Sequence, residues 1–171
     1  MNIILGAGII GLFIGYNLLK KGQKVEIFDT LEHHNAAWKA SVGMLAPVIE
    51  AKTDEYELFK LMTESKSIWD NFLLDNKLRK KIGLKKNSSL LIAENYDDLE
   101  KIKNKKEFFK NLGYESKLLS AQETLKIEPE LNSNIVGSLY CLNQNQVNPV
   151  FLRNFLISEI NSFGVNIKKL R

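Results

Sequence analysis

Six residues near the N-terminus, Gly6-Ala7-Gly8-Ile9-Ile10-Gly11, constrain the fold of this chain more than any other stretch. They follow the apolar run 2–5 and precede a helical pattern, after which Gly22 and the apolar run 25–28 lead to Asp29. The order of strand, glycine-rich turn, helix and strand is typical of a βαβ unit.

Each glycine of this turn has its own physical reason. Gly6 allows the tight turn out of the strand, Gly8 lets the backbone approach a pyrophosphate, and Gly11 lets the helix lie close to the sheet. The helix N-terminus offers N–H groups to phosphates, and Asp29 stands ~20 residues on, where an acid accepts hydrogen bonds from a ribose. The unit predicts a dinucleotide site; the alternative is a glycine-rich helix start that only packs tightly.

Composition and charge exclude several classes of protein. The 171 residues have the length of one ordinary domain, and 44% hydrophobic with 26% charged residues is typical of a soluble globular protein. The net charge of +4 comes from lysines spread along the chain, so no nucleic-acid partner is expected. The densest basic run, 77–86, is expected to be a solvated helix end. The single cysteine, Cys141, excludes an internal disulfide and fits a reducing compartment.

The apolar stretch 3–19 has neither the form of a secretion signal nor that of a membrane span. Lys20 and Lys21 follow the stretch instead of preceding it, and glycines interrupt it. We therefore expect a cytoplasmic or at most peripheral protein without an integral membrane segment.

Beyond residue 52 the pattern alternates between helices and strands. Helices are predicted from Thr53 to about residue 73, over 97–111, after the capping pair Ser120 and Glu123, and from Pro149 to about residue 164. Strands are predicted over 89–93, 135–142 and 165–170. A strand at the very end of a chain lacks neighbours, so the chain is expected to be cut off rather than complete.

Residues 36–47 form a long segment of mostly small side chains. Small residues let a backbone lie flat against a planar ring. A segment that returns to the nucleotide site suits a flavin and is not needed by a nicotinamide cofactor. The alternative is an apolar loop beneath the following helix. Taken alone, the segment favours neither of these two interpretations over the other.

Together these features resemble the FAD-dependent amino acid oxidases of the D-amino acid oxidase superfamily. The stretch 41–47, Ser-Val-Gly-Met-Leu-Ala-Pro, is most similar to the glycine oxidase branch of thiamine biosynthesis, where such a segment lies along the flavin. A second match, 137–140 with 146–149, resembles the family's Gly-small-Leu-Tyr strand and the turn that leads back to the FAD domain. The family often has an acid where Asn145 and Asn148 stand here.

The resemblance implies FAD as the cofactor and assigns its contacts residue by residue. In chain order they serve the pyrophosphate, the adenosine ribose, the phosphate–ribityl region and the flavin ring. The implied cofactor-binding residues are Gly6, Gly8, Ile9, Ile10, Gly11, Asp29, Thr30, Ala37, Trp38, Val42, Gly43 and Met44. No residue of this sequence is assigned to the substrate carboxylate, so the catalytic residues stay unknown.

The resemblance also implies a reaction, in which a hydride leaves the Cα of glycine or another small amino acid for the flavin and gives an imine. O2 or another acceptor then reoxidises the flavin. The cofactor performs the difficult step, so no side-chain acid or base is required. His33 and His34 are expected to be a surface pair, and no metal site is expected. Self-association of a full-length protein stays open.

The expected fold class is α/β, with a Rossmann-like FAD-binding βαβ unit and part of an α+β substrate domain, truncated at the C-terminus. Residues 1–50 and 146–171 are assigned to the FAD-binding domain, and residues 51–145 to the substrate domain. Two other functions stay open. One is a D-amino acid or sarcosine-type dehydrogenase that passes electrons to a quinone; the other is a non-catalytic nucleotide-binding fragment.

Overall fold

The computed structural model of the chain describes residues 1–31, 36–52 and 54–170. The elements, in chain order, are β1 (Asn2–Leu5), α1 (Ile9–Lys20), β2 (Val25–Asp29), α2 (Ala37–Ala40), β3 (Met44–Leu45), α3 (Pro47–Glu50), α4 (Tyr56–Phe72), α5 (Asn76–Lys81), β4 (Ser89–Ala93), α6 (Tyr96–Asn111), β5 (Ser116–Ser120), α7 (Ala121–Ile127), β6 (Gly137–Cys141), β7 (Asn145–Gln146), α8 (Pro149–Ser162) and β8 (Ile167–Lys169).

These elements form two compact units. The first contains Met1–Gly43, Asp75–Leu84 and Val147–Arg171, and the second contains Met44–Leu74 and Lys85–Gln146. The predicted domains at 1–50, 51–145 and 146–171 stay a prediction, because a unit defined by internal contacts is not in itself a functional domain.

The first unit is built on a parallel sheet of order β1-β2-β8. Strands β1 and β2 are in register from Asn2 opposite Val25 to Leu5 opposite Phe28. Helices α1 and α8 pack together, with the rings of Tyr16 and Phe155 edge to face at 6.3 Å. The large side chains buried in this unit include Leu12, Ile27, Leu156 and Ile160. The parallel sheet confirms the predicted βαβ unit and the α/β fold class, although β8 is shorter than the predicted strand 165–170.

The second unit contains an antiparallel sheet of order β4-β6-β5. Central strand β6 places Leu139 between Leu91 and Leu118. Helix α6 packs on this sheet, and its Phe109 joins Leu139 and Cys141 in the core. Alternation along β6 accounts for this arrangement, because every second side chain of a strand points to the same face. A separate two-stranded ribbon pairs β3 with β7.

Side-chain caps account for several of the helix starts. The Ser120 hydroxyl accepts a hydrogen bond from the Glu123 N–H at 3.2 Å, and the Glu123 carboxylate accepts one from the Ser120 N–H at 2.9 Å. The predicted capping box of α7 is therefore confirmed. Asn95 caps α6 by accepting a bond from the Asp98 N–H at 2.9 Å, so this helix begins earlier than predicted. The predicted start of α4 at Thr53 lies outside the described residues.

Helix α5 is not predicted from the sequence as a separate element. It lies in the basic run 77–86 and is capped by Asp75, whose carboxylate accepts a bond from the Lys77 N–H at 2.7 Å. Residues 82–84, which follow it, also belong to the first unit, in which the Asn148 N–H donates to the Ile82 carbonyl at 2.9 Å.

Candidate cofactor-binding site

The turn between β1 and α1 requires glycine at two positions. Gly6 has φ +101°, in the left-handed region that favours glycine. A Cβ on Gly11 would come within 2.1 Å of the Gly6 carbonyl oxygen, so no larger residue fits there without moving the backbone. The Gly6 N–H donates to the Phe28 carbonyl at 2.7 Å and thereby attaches the turn to β2.

Gly8 has a different environment from Gly11. A Cβ built on Gly8 would meet no heavy atom of the described chain within 4 Å, so the space beside this residue is open. Gly8 is also the N-cap of α1, which has no side-chain cap and no acidic residue in its first turn. The N–H groups of Ile9 and Ile10 have no acceptor within the helix, as in any first turn. Open space beside helix N–H groups fits the pyrophosphate of a dinucleotide.

Asp29 braces this turn from the end of β2. Its Oδ2 accepts a hydrogen bond from the Ala7 N–H at 2.5 Å, and its Oδ1 accepts one from the Leu31 N–H at 2.6 Å. Each carboxylate oxygen can accept more than one hydrogen bond. The half-buried Asp29 can therefore brace the turn and also accept a bond from a ribose hydroxyl. Thr30, the next residue, is exposed.

Ala37 and Trp38 lie in the short helix α2, which contacts α8. Ala37 is exposed, whereas Trp38 is half-buried. The Trp38 ring lies against the guanidinium of Arg153, whose Cζ is 4.9 Å from the ring centroid. The structure thus gives Trp38 a packing partner within the first unit.

Arg153 is a residue of this site that the sequence reasoning missed. Only 9% of the residue is exposed. Burial lowers the pKa of its guanidinium, and the negative charge of Asp29 acts in the opposite direction. Arg153 is the single charged residue in the first half of α8, where Asn154 is the one other polar side chain, and a lone charge among apolar residues is the sequence signal that points to a specific role.

Gly43 is fixed by packing within the first unit. It has φ +73°, and a Cβ would lie 2.0 Å from the Val147 carbonyl oxygen and 3.1 Å from the Pro149 ring. Its carbonyl accepts the Val147 N–H at 3.0 Å, and its own N–H donates to the Ser41 hydroxyl at 3.0 Å. The neighbouring Val42 side chain is 62% exposed.

Met44 begins the second unit and pairs with Gln146 in the ribbon of β3 and β7. Its side chain is 43% exposed. It lines a cavity of about 290 Å³ between the segment 44–50 and the side chains of Leu61, Met62, Ser65, Lys66 and Trp69 on α4. Of the predicted triplet, Val42 and Gly43 belong to the first unit and Met44 to the second.

Neither a cluster of metal ligands nor a membrane-spanning helix is found in the part of the chain that the structure covers. Residues 1–31, 36–52 and 54–170 contain no group of three or more His, Cys, Asp or Glu placed to hold a metal ion. No helix within these ranges is long and apolar enough to cross a membrane. His33 and His34, expected to be a surface pair, lie outside the described residues.

One protein family matches nearly the whole length of this chain. The sequence profile of the DAO family, described as FAD dependent oxidoreductase, matches residues 2–169. Glycine oxidase from Geobacillus kaustophilus is 28% identical over 149 residues, which cover 84% of this chain and 39% of that protein.

Two crystal structures of glycine oxidases also match nearly the whole chain. The crystal structure of glycine oxidase from Geobacillus kaustophilus has a TM-score of 0.87 at 26% identity and covers 98% of this chain and 46% of that one. Glycine oxidase from Bacillus cereus has a TM-score of 0.83 at 27% identity, over 98% of this chain and 45% of that one. The chain thus spans less than half the length of the relatives that it matches.

Proposed function

The chain belongs to the family of FAD-dependent oxidoreductases, as its sequence predicted, and we propose that it is the N-terminal portion of an amino acid oxidase acting on glycine or another small amino acid. The observation that carries this proposal is the family match over residues 2–169 together with the open, braced turn at Gly8. The similarity to two glycine oxidases, at 26% and 27% identity, supports glycine as the first substrate to test.

In this proposal the residues of the turn hold the phosphates of FAD. The N–H groups of Ile9 and Ile10 face the pyrophosphate, which occupies the space that a Cβ on Gly8 would otherwise enter. Asp29 accepts a hydrogen bond from the adenosine ribose, with Thr30 beside it. The geometry supports these roles because Asp29 already accepts the Ala7 N–H of the same turn at 2.5 Å.

The later residues serve the rest of the cofactor. Ala37 and Trp38 meet the phosphate–ribityl region, and Val42, Gly43 and Met44 lie along the flavin. FAD, when bound, supplies the two-electron acceptor for oxidation of the Cα–N bond of the amino acid to an imine. The chain's part is to bind and orient the cofactor and to exclude water from it. O2 is proposed as the final electron acceptor.

The first test is whether the protein binds FAD and which acceptor it uses. We expect residues 1–171 alone to retain FAD poorly and to be inactive, and the full-length protein to retain FAD with a perturbed visible spectrum. We also expect the full-length protein to consume oxygen with glycine. Reduction of an artificial dye with D-alanine, without oxygen consumption, would instead favour a dehydrogenase that passes electrons to a quinone. Absence of FAD binding by the full-length protein would overturn the proposal.

A non-catalytic nucleotide-binding protein is the second candidate. The observation behind it is that no residue of this sequence is assigned to the substrate carboxylate. FAD retention without turnover of any amino acid, even in the full-length protein, would support this function. The cytoplasmic location and a place in thiamine biosynthesis belong to the first proposal, and fractionation of cells and growth without thiamine test them.

A further inference from the structure

Helix α6 of the second unit carries one lysine with an unusual contact. The Nζ of Lys105 donates a hydrogen bond to the backbone carbonyl of Ile49 at 2.7 Å, across 56 positions of the sequence. Lys105 is half-buried, and its ammonium lies 5.7 Å from the centroid of the buried Phe109 ring.

The acceptor belongs to α3, which has only four residues. A helix this short satisfies few of its own carbonyl groups, so the Ile49 carbonyl needs an external donor. Val48 and Ala51, on either side of Ile49 and Glu50, are buried in the core of the second unit. The apolar residues of the segment are thus held by packing, and the Ile49 carbonyl is held by Lys105.

The surroundings of Lys105 disfavour its positive charge. Burial is the largest effect on the pKa of Lys105 and lowers it. The nearby groups Cys141 and Glu50 act in the opposite direction, and Lys52 acts in the same direction as burial. An apolar side chain at this position would avoid the loss of hydration. The hydrogen bond to Ile49 is the contact that an apolar side chain would not make.

The segment 44–50, which contains Ile49, also forms one wall of a cavity. Met44 and Glu50 line the cavity of about 290 Å³ whose opposite wall is α4. Met44 is the first residue of this wall and Ile49 lies five positions further on. Glu50, the residue directly after Ile49, lines the same cavity as Met44, so a displacement of the backbone at Ile49 moves a wall of the cavity that Met44 also lines.

We propose that Lys105 is a positioning residue that sets the backbone course of the segment 44–50 and hence the placement of Met44 in its cavity. This inference rests on the proposed function for its consequence, because only there is Met44 assigned to the flavin. Lys105 itself touches neither substrate nor cofactor in this proposal.

Methyl NMR of the whole protein labelled with ¹³C-methyl methionine tests the positioning directly, without any cofactor. Residues 1–171 contain three methionines, Met1, Met44 and Met62, and the signal that disappears in Met44→Leu is that of Met44. Lys105→Leu should shift the Met44 signal and leave the Met1 signal unchanged. Lys105→Arg, which keeps a charged donor, should leave the Met44 signal at its position in the parent protein. The matched control is Lys103→Leu on the same helix, because Lys103 is exposed and pairs with Glu100 on the surface.

An unshifted Met44 signal in folded Lys105→Leu protein would overturn the proposal. If circular dichroism shows that this variant does not fold, Lys105→Ala, which also lacks a donor, takes its place, with the same two outcomes. Addition of FAD separates the inference from the proposed function. FAD should shift the Met44 signal of the parent protein, and Lys105→Leu should weaken FAD binding up to roughly tenfold. A Met44 signal that responds to Lys105→Leu but not to FAD supports the positioning role and contradicts the flavin contact of Met44.

Discussion

The Asp29 carboxylate accepts a hydrogen bond from the backbone N–H of Ala7 at 2.5 Å, which joins the end of β2 to the turn that follows β1. The two residues are 22 positions apart. One carboxylate therefore supports the turn, and the same carboxylate is the group proposed for the ribose.

Asp29→Asn should weaken both the turn and FAD binding. The amide keeps the shape of the side chain but loses the charge, and hydrogen bonds to a charged group contribute about 1.5–3 kcal/mol. We expect the free energy of unfolding in urea to fall by about 2 kcal/mol, and calorimetric titration to show weaker FAD binding. Asp54→Asn, at an exposed position, is the control and should change neither quantity. Unchanged FAD affinity in Asp29→Asn would remove this residue from the proposed site.

Gly8 and Gly11 should respond to alanine in opposite ways. In Gly11→Ala the new Cβ would lie 2.1 Å from the Gly6 oxygen, so overpacking should cost about 3 kcal/mol of folding stability. In Gly8→Ala the new Cβ meets nothing within 4 Å and the backbone, at φ −72° and ψ 174°, suits alanine. Its stability should be unchanged or rise by about 0.4–1 kcal/mol.

FAD affinity should nevertheless fall in Gly8→Ala, because the Cβ enters the space proposed for the pyrophosphate. A loss of about tenfold, equal to 1.4 kcal/mol, is expected. Urea unfolding and FAD titration of the two variants side by side check this contrast. Normal FAD affinity in a stable Gly8→Ala protein would mean that the phosphates lie elsewhere.

Arg153→Leu should change the environment of Trp38. The guanidinium lies 4.9 Å from the ring centroid, and a partly buried cation–π contact contributes about 1 kcal/mol. In a Trp69→Phe background Trp38 is the remaining tryptophan, so its fluorescence maximum reports the loss directly. Asn154→Ala, at the exposed next position of α8, should leave the emission as it was. An identical spectrum in Arg153→Leu would show that the stacking does not persist in solution.

The capping box of α7 should make stability depend on acid. The Ser120 backbone N–H, and after it the Ser120 hydroxyl, lower the pKa of the Glu123 carboxyl below its ordinary value of 4.5. A lowered pKa in the folded state means that the ionised carboxylate stabilises the fold above the ordinary pKa. This contribution is lost as the pH falls through the lower, folded-state value.

Ser120→Ala should remove the N-cap at a cost of about 1 kcal/mol at neutral pH. It should also reduce the loss of stability between pH 5 and lower values, since the folded-state pKa of Glu123 returns toward the ordinary one. Urea unfolding at several pH values measures both effects. If the free energy of unfolding of the parent and of Ser120→Ala falls with pH by the same amount, the Ser120 hydroxyl does not lower the pKa of Glu123.

Cys141 should be unreactive while the protein is folded. The residue is 1% exposed, and burial raises the pKa of its thiol to about 11, with the charge of Lys105 acting in the opposite direction. Because the thiolate is the reactive form, a thiol reagent at pH 8 should modify Cys141 only after urea is added. Rapid modification in the folded state would indicate that this core opens.

The local features of the chain were predictable because their partners are near in sequence. The glycine-rich turn, the capping box at Ser120 and the helix opened by Pro149 each depend on a few successive residues. The resemblance at residues 41–47 also pointed to the family that matches residues 2–169. The roles of single cofactor contacts stay predictions until FAD binding is measured.

By itself, the sequence determined that the first thirty residues form a βαβ unit, since turn, helix and strand follow one another within one local repeat of structure. Only the tertiary structure decided which distant groups meet. Gly43 lies against Val147 and Pro149, Trp38 lies against Arg153, and Lys105 reaches Ile49. These pairs are separated by about 50 residues or more, and no local propensity specifies them. Their contacts arise because the burial of apolar surface in each unit brings separate segments of the chain back to a common core.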